Sequence, residues 1–191
     1  SWAELARRAR EASASLAASG VGEGDLVAVL AKPSVQGVAL LFGMLGSGVP
    51  FLPINARQSE AEQRAALAES HARFLVVDEG DPRSAALAKE SGSGVLSLAR
   101  SEAGARIELL RVPDETRAEE FDAAASRRRA EGAALVLRTS GTSGRAKGAV
   151  LGLDCLLASA DGAAELLGSA SSDRWLLCMP LFHIGGLAIL V

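Results

Sequence analysis

Three short apolar runs, Leu26 to Leu30, Phe74 to Val77 and Ala133 to Leu137, constrain this chain more than any other feature. Each is too brief for a helix, and none alternates with polar residues as a half-wet strand would. Runs of this kind suit strands buried on both faces. Helical signals lie around them. Trp2, Leu5, Ala9, Ala12 and Leu16 fall on one helical face, and Gly20 suits the left-handed stop behind it. Ser34 opens a segment of helical character to about Leu45, closed by Gly46-Ser47-Gly48. Ser59-Glu60-Ala61-Glu62 has capping-box spacing and predicts a helix to about Ser70. Asp81-Pro82 reads as an N-cap and first-turn proline for a helix to about Glu90. Strand and helix in alternation predict an α/β fold, a parallel sheet with crossover helices in layers.

The remaining segments carry weaker signals. Val49 to Pro53 reads as extended, and its two prolines place it near a strand end or at an edge. Val95 to Leu98 fits one more short strand. Ser101 to Glu131 is rich in charge and holds at most one short strand, around Ile107 to Val112. It reads as a surface connection in which Arg127-Arg128-Arg129 form a solvated face. The expected organisation is therefore a first strand–helix subregion over 1–100, a charged connection over 101–131 and a second subregion over 132–191.

Composition narrows the function. The 191 residues are 49% apolar and 23% charged, with a net charge of -3, which argues for a packed core and against gripping a nucleic-acid backbone. Cys155 and Cys178 are too far apart for a metal knuckle or redox pair, and no residue is assigned as a metal ligand. No apolar run is long enough for a membrane span. The chain opens directly on an amphipathic helix with no secretory leader, so a cytoplasmic location is expected.

Thr139-Ser140-Gly141-Thr142-Ser143-Gly144-Arg145-Ala146-Lys147-Gly148 is the most informative stretch. Its glycines let successive N–H groups turn inward around an anion. The hydroxyls of Thr139, Ser140, Thr142 and Ser143 can donate to phosphate oxygens, and Lys147 adds a mobile charge. The spacing excludes a Walker A loop, because Ala146 precedes the lysine and Gly148 follows it. A flexible linker is the plain alternative. A linker would not be entered from a buried strand and left through Ala149-Val150-Leu151.

This stretch resembles the phosphate-binding signature of the adenylate-forming superfamily, which includes acyl-CoA synthetases, peptide-synthetase adenylation domains and luciferases. Ala146 departs from the usual proline. Trp175-Leu176-Leu177-Cys178-Met179-Pro180-Leu181-Phe182-His183-Ile184-Gly185-Gly186 resembles the next core motif of that family. There, residues 175 to 179 are expected as a buried strand, with His183 on the turn beyond it. Trp2 to Leu5, Gly22 to Ala28 and Gly48 to Asn55 resemble earlier landmarks, so the likeness covers the whole chain. Within the superfamily, the string around His183 is most similar to the o-succinylbenzoate–CoA ligases of menaquinone biosynthesis.

The resemblance implies ATP, magnesium and CoA as cofactor and co-substrates, and a small carboxylic acid as substrate. It assigns Thr139, Ser140, Gly141, Thr142, Ser143, Gly144 and Lys147 to the phosphates. It places His183 as the catalytic residue, with Gly185 and Gly186 beside it as a flat wall for the acyl group. Family members are longer, and the chain is expected to be the first part of their large N-terminal domain, inactive alone. A non-catalytic nucleotide-binding fragment and an adenylation domain loading a carrier protein are the alternatives.

Overall fold

The computed structural model describes residues 1–101, 104–111, 113, 132–139 and 147–191. In chain order the elements are α1 (Trp2–Ala18), β1 (Val27–Leu30), α2 (Val35–Gly46), β2 (Phe51–Pro53), α3 (Glu60–Ser70) and β3 (Phe74–Asp78). Then come α4 (Ser84–Ser91), β4 (Gly94–Ser101), β5 (Gly104–Arg111), β6 (Ala133–Thr139), β7 (Lys147–Gly152), α5 (Leu153–Leu167) and α6 (Ile184–Leu187). Among the described residues, one seven-stranded sheet has the order β5-β4-β3-β1-β2-β6-β7. The pairings from β4 through β6 are parallel, and the strands at both edges, β5 and β7, are antiparallel to their neighbours.

Helix placement follows from crossover handedness. The connection from β1 through α2 to β2 moves one way along the sheet, and those through α3 and α4 move the other way. Right-handed crossovers in opposite directions must lie on opposite faces. The core divides accordingly. Val27, Val29, Phe51 and Val76 pack with Leu16 of α1, Leu40 and Met44 of α2 and Leu156 of α5. Ala28, Leu30, Leu52 and Val77 pack with Leu67 of α3 and Leu87 of α4. Alternate residues of one strand thus enter different cores, which is why the strand sequences are continuously apolar.

Local signals set the helix ends. The Ser34 hydroxyl accepts from the Gly37 N–H at 3.0 Å. Both halves of the capping box form, with the Ser59 hydroxyl accepting from Glu62 N–H and the Glu62 carboxylate accepting from Ser59 N–H. Gly20 takes φ 84 after α1. At the base of the sheet, buried Asp25 accepts from Arg73 at 2.9 and 3.1 Å and from Gly22 N–H at 2.8 Å. That network ties the entry of β1 to the entry of β3.

Several sequence expectations need correction. Trp2 is 76% exposed over an open groove between α1 and α2, so the buried face of α1 begins further along the helix. Asp81 does not cap a helix starting at Pro82. Its carboxylate accepts from Arg83 N–H two residues on, and α4 starts at Ser84. The strand expected around Ile107 starts earlier and runs for eight residues, hydrogen-bonded to β4 as an edge. It is held further by Ser15 of α1, whose hydroxyl donates to the Ile107 carbonyl and accepts from its N–H, both at 2.9 Å. Arg127-Arg128-Arg129 lie outside the described residues. Of the two placements the prolines near β2 allowed, the strand end holds and the edge does not: Pro50 precedes the strand, Pro53 is its last residue, and β2 lies between β1 and β6.

Candidate functional site

β1, β2 and β6 are mutually parallel, so their last residues, Leu30, Pro53 and Thr139, lie at one end of the sheet. The carboxyl end of a parallel sheet is where such folds hold ligands. Two features come to this end.

The first is the root of the glycine-rich segment. β6 and β7 form an antiparallel pair whose final rung is Thr139 opposite Lys147. The Thr139 hydroxyl donates to the Lys147 carbonyl at 3.3 Å, so its proton closes the hairpin in this state. Lys147 itself is exposed. Ser140, Gly141, Thr142, Ser143 and Gly144 lie outside the described residues. Below Thr139, the Arg138 guanidinium meets the Glu69 carboxylate of α3 at 2.9 Å.

The second feature is a cleft of about 380 Å³ over the ends of β1 and β2. Val29, Pro53 and Ile54 form its floor, and residues 177 to 182 cover it. Lys32 and Arg57 stand among its lining residues, giving an apolar pocket two cationic neighbours. Both were missed as site residues in sequence. The cleft arises only when β1 and β2 pair, and the sole sequence hint was that lysines are rare in this chain. Beside it, Asp78 accepts from Lys32 N–H at 3.0 Å, and the Arg83 guanidinium beside Asp81 holds that carboxyl below its ordinary range.

His183 follows the last lining residue, Phe182. It is the N-cap of α6, and its Nδ1 accepts from the Gly185 N–H at 3.1 Å. That bond places the ring proton of the neutral form on Nε2, which makes His183 an outward-facing donor. Gly186 is buried, and a Cβ there would stand 2.2 Å from the Pro180 carbonyl oxygen. Its missing side chain permits a close backbone approach under the turn, so this glycine faces Pro180 rather than open space. Gly186→Ala should cost about 1–3 kcal/mol through overpacking. Thermal melting checks this, and an unchanged melting temperature would contradict it.

The approach to His183 differs from expectation. Residues 175 to 179 are not a buried strand. Trp175 and Leu176 are 61% and 79% exposed, and Cys178 N–H donates back to the Leu176 carbonyl at 2.9 Å. A backbone that closes such a tight local turn is not available for a ladder. Among the described residues, no three His, Cys, Asp or Glu side chains converge as a metal site.

The family model for AMP-binding enzymes matches residues 1–191. This chain belongs to the AMP-binding enzyme family. Among curated relatives, the 2-succinylbenzoate–CoA ligase of Geobacillus kaustophilus is 33% identical over 98% of this chain and 35% of its own length. A 2-succinylbenzoate–CoA ligase of Bacillus cereus is 32% identical over 90% of this chain and 32% of its own length. The chain thus spans about one third of these AMP-binding relatives. Among solved structures, the O-succinylbenzoate coenzyme A synthetase of Bacillus subtilis, in complex with ATP and magnesium, has a TM-score of 0.73 and 26% identity. The match covers 100% of this chain and 47% of that one. ATP-bound MatB of Rhodopseudomonas palustris has a TM-score of 0.77 and 27% identity, covering 99% and 37%. These likenesses place the described sheet within the fold of AMP-binding enzymes.

Proposed function

We propose that these residues serve an ATP-dependent acid–CoA ligase, with o-succinylbenzoate as the acid. The observation that carries the reading is the shared carboxyl end. Three parallel strands place the Thr139–Lys147 root and the apolar cleft at one end of one sheet. A polyphosphate and a carboxylic acid are the two partners that must meet there.

In the first step a carboxylate oxygen of the acid attacks the α-phosphorus of ATP, and pyrophosphate leaves. In the second, the CoA thiolate attacks the acyl carbon and AMP departs. Both steps depend on positioning and on stabilising negative charge. Lys147, with the hydroxyls and backbone N–H groups of residues 139 to 144, serves the β- and γ-phosphates. His183 Nε2–H serves the carboxylate or the adenylate forming from it, while Gly185 N–H holds the ring through Nδ1. Magnesium bound together with ATP would supply positive charge against the phosphates.

Two outcomes test the proposal in the full-length protein. His183→Ala should lower the adenylation rate up to about tenfold, the worth of one hydrogen bond, with ATP affinity nearly unchanged. A panel of acids supplied with ATP and CoA should give thioester fastest with o-succinylbenzoate. Faster turnover of acetate or palmitate than of every aryl acid would reject that substrate and leave the reaction class standing.

A further inference from the structure

We propose that Arg57 is the specificity-determining residue of the cleft over β1 and β2, where it reads a second carboxylate on the acid. The inference rests on the acid–CoA ligase reading and narrows its substrate class to acids that carry two negative charges. o-Succinylbenzoate is such an acid. Only one of its carboxylates can attack phosphorus. The other must find a partner, because a charge brought against an apolar wall without one is costly.

The cleft supplies that partner. Its volume of about 380 Å³ is of the size that holds a small ligand. Val29, Ile54 and Leu181 give it an apolar lining for the body of the acid. Phe182, the residue before His183, lines the same cavity as Arg57. The two cations of the lining differ in what surrounds them. The Lys32 N–H donates to Asp78, and the Lys32 charge adds to the larger effect of Arg83 in lowering the Asp81 carboxyl. Lys32 is therefore shared with the acidic residues that follow β3. Among the described residues Arg57 forms no ion pair.

The backbone beneath Arg57 is fixed in advance. Asn55 Oδ1 accepts from the Arg57 N–H at 2.9 Å, and the Asn55 carbonyl accepts from the Gln58 N–H at 3.1 Å. The fully buried Gln63 of α3 reaches under this turn, where its Nε2 donates to the Asn55 and Gln58 carbonyls, both at 3.2 Å. A side-chain amide buried to hold one turn keeps the guanidinium at the cleft without ordering the loop when ligand arrives. Arginine also suits the task by itself, since its fork matches a carboxylate in two hydrogen bonds.

The test compares acids in the full-length protein. Benzoylpropionate lacks the ring carboxylate of o-succinylbenzoate, and o-butanoylbenzoate lacks the succinyl one, so whichever carboxylate reacts, one of the two retains it. Arg57→Gln should lower kcat/KM for o-succinylbenzoate about fivefold to tenfold, mostly through KM, and leave the reactive monoacid nearly unchanged. Arg57→Lys should recover part of the loss, and the KM for ATP should stay as in the parent. Arg106→Gln removes an exposed cation from β5, at the far edge of the sheet, and should change neither acid. Arg57 is exposed, so its variants should melt with the parent. Equal loss for diacid and monoacid, or no loss, overturns the inference. A raised KM for ATP in Arg57→Gln also overturns it, because the guanidinium would then serve the phosphates. A parent that forms thioester from none of the three acids rejects the functional reading itself, and the inference with it.

Discussion

Replacing Phe51 with alanine should destabilise the protein by about 3–5 kcal/mol, the largest change expected from any single substitution considered. Phe51 is 1% exposed and belongs to a strand of only three residues. It is paired with Val27 of β1 on one side and Leu135 of β6 on the other. Its ring lies in the core shared by α1 and α2. Truncation removes the transfer energy of the ring and leaves a cavity at the junction of three strands, where little can collapse inward. Domains of this kind hold about 5–15 kcal/mol in total, so the variant should unfold at far lower urea. Trp175→Ala, at an exposed site, should shift stability by no more than about 0.5 kcal/mol. Urea titrations of both variants give the comparison. A loss below about 1.5 kcal/mol for Phe51→Ala would contradict the packing described. The site depends on the same strand, since Pro53 and Ile54 at its end floor the cleft.

Lys147→Ala should weaken ATP binding about ten- to a hundredfold in the full-length protein without altering its fold. The magnitude is that of charge-assisted hydrogen bonds, about 1.5–3 kcal/mol. Lys147 stands at the first position of β7, exposed, directly across the ladder from Thr139. Its backbone belongs to the hairpin and is untouched by the substitution. The side chain is the part free to serve a phosphate. Calorimetric titration with ATP measures the loss, and the melting temperature reports the fold. Equal affinity in mutant and parent would remove Lys147 from the phosphates.

The fold was legible wherever local chemistry and burial agreed. Leu26 to Leu30 and Phe74 to Val77 are continuous because helices cover both faces of the sheet, and Ser34 and Ser59 cap because each meets its own orphan N–H groups. For β2 the prolines left a strand end or an edge open, and the strand end is what forms. Here Pro50 contributes only its carbonyl, accepting from Val27 N–H at 2.9 Å. Pro53 is the last residue of the strand, and Ile54 N–H supplies the next bond, to Val29 O. A proline is tolerated in an interior strand when the donors needed belong to its neighbours. The segment from Trp175 misled for the opposite reason. Its apolar residues suit a buried strand, yet composition cannot say whether a ladder partner exists. Of the candidate site, the glycine-rich segment and His183 could be proposed from sequence because their chemistry lies within a few residues. The cleft, with Lys32 and Arg57, could not. It joins the ends of two strands that become neighbours only through pairing, and the Arg138–Glu69 contact likewise spans separate elements.

Carboxylate-dependent exchange of pyrophosphate into ATP tests the central claim most directly, because it isolates the step proposed to bring polyphosphate and acid together at the carboxyl end of the sheet. In the full-length protein with magnesium, exchange should require an added aryl acid, be greatest with o-succinylbenzoate and fall about ten- to a hundredfold in Lys147→Ala at subsaturating ATP. Exchange that proceeds without any acid, or at the same rate in Lys147→Ala under those conditions, would contradict the account.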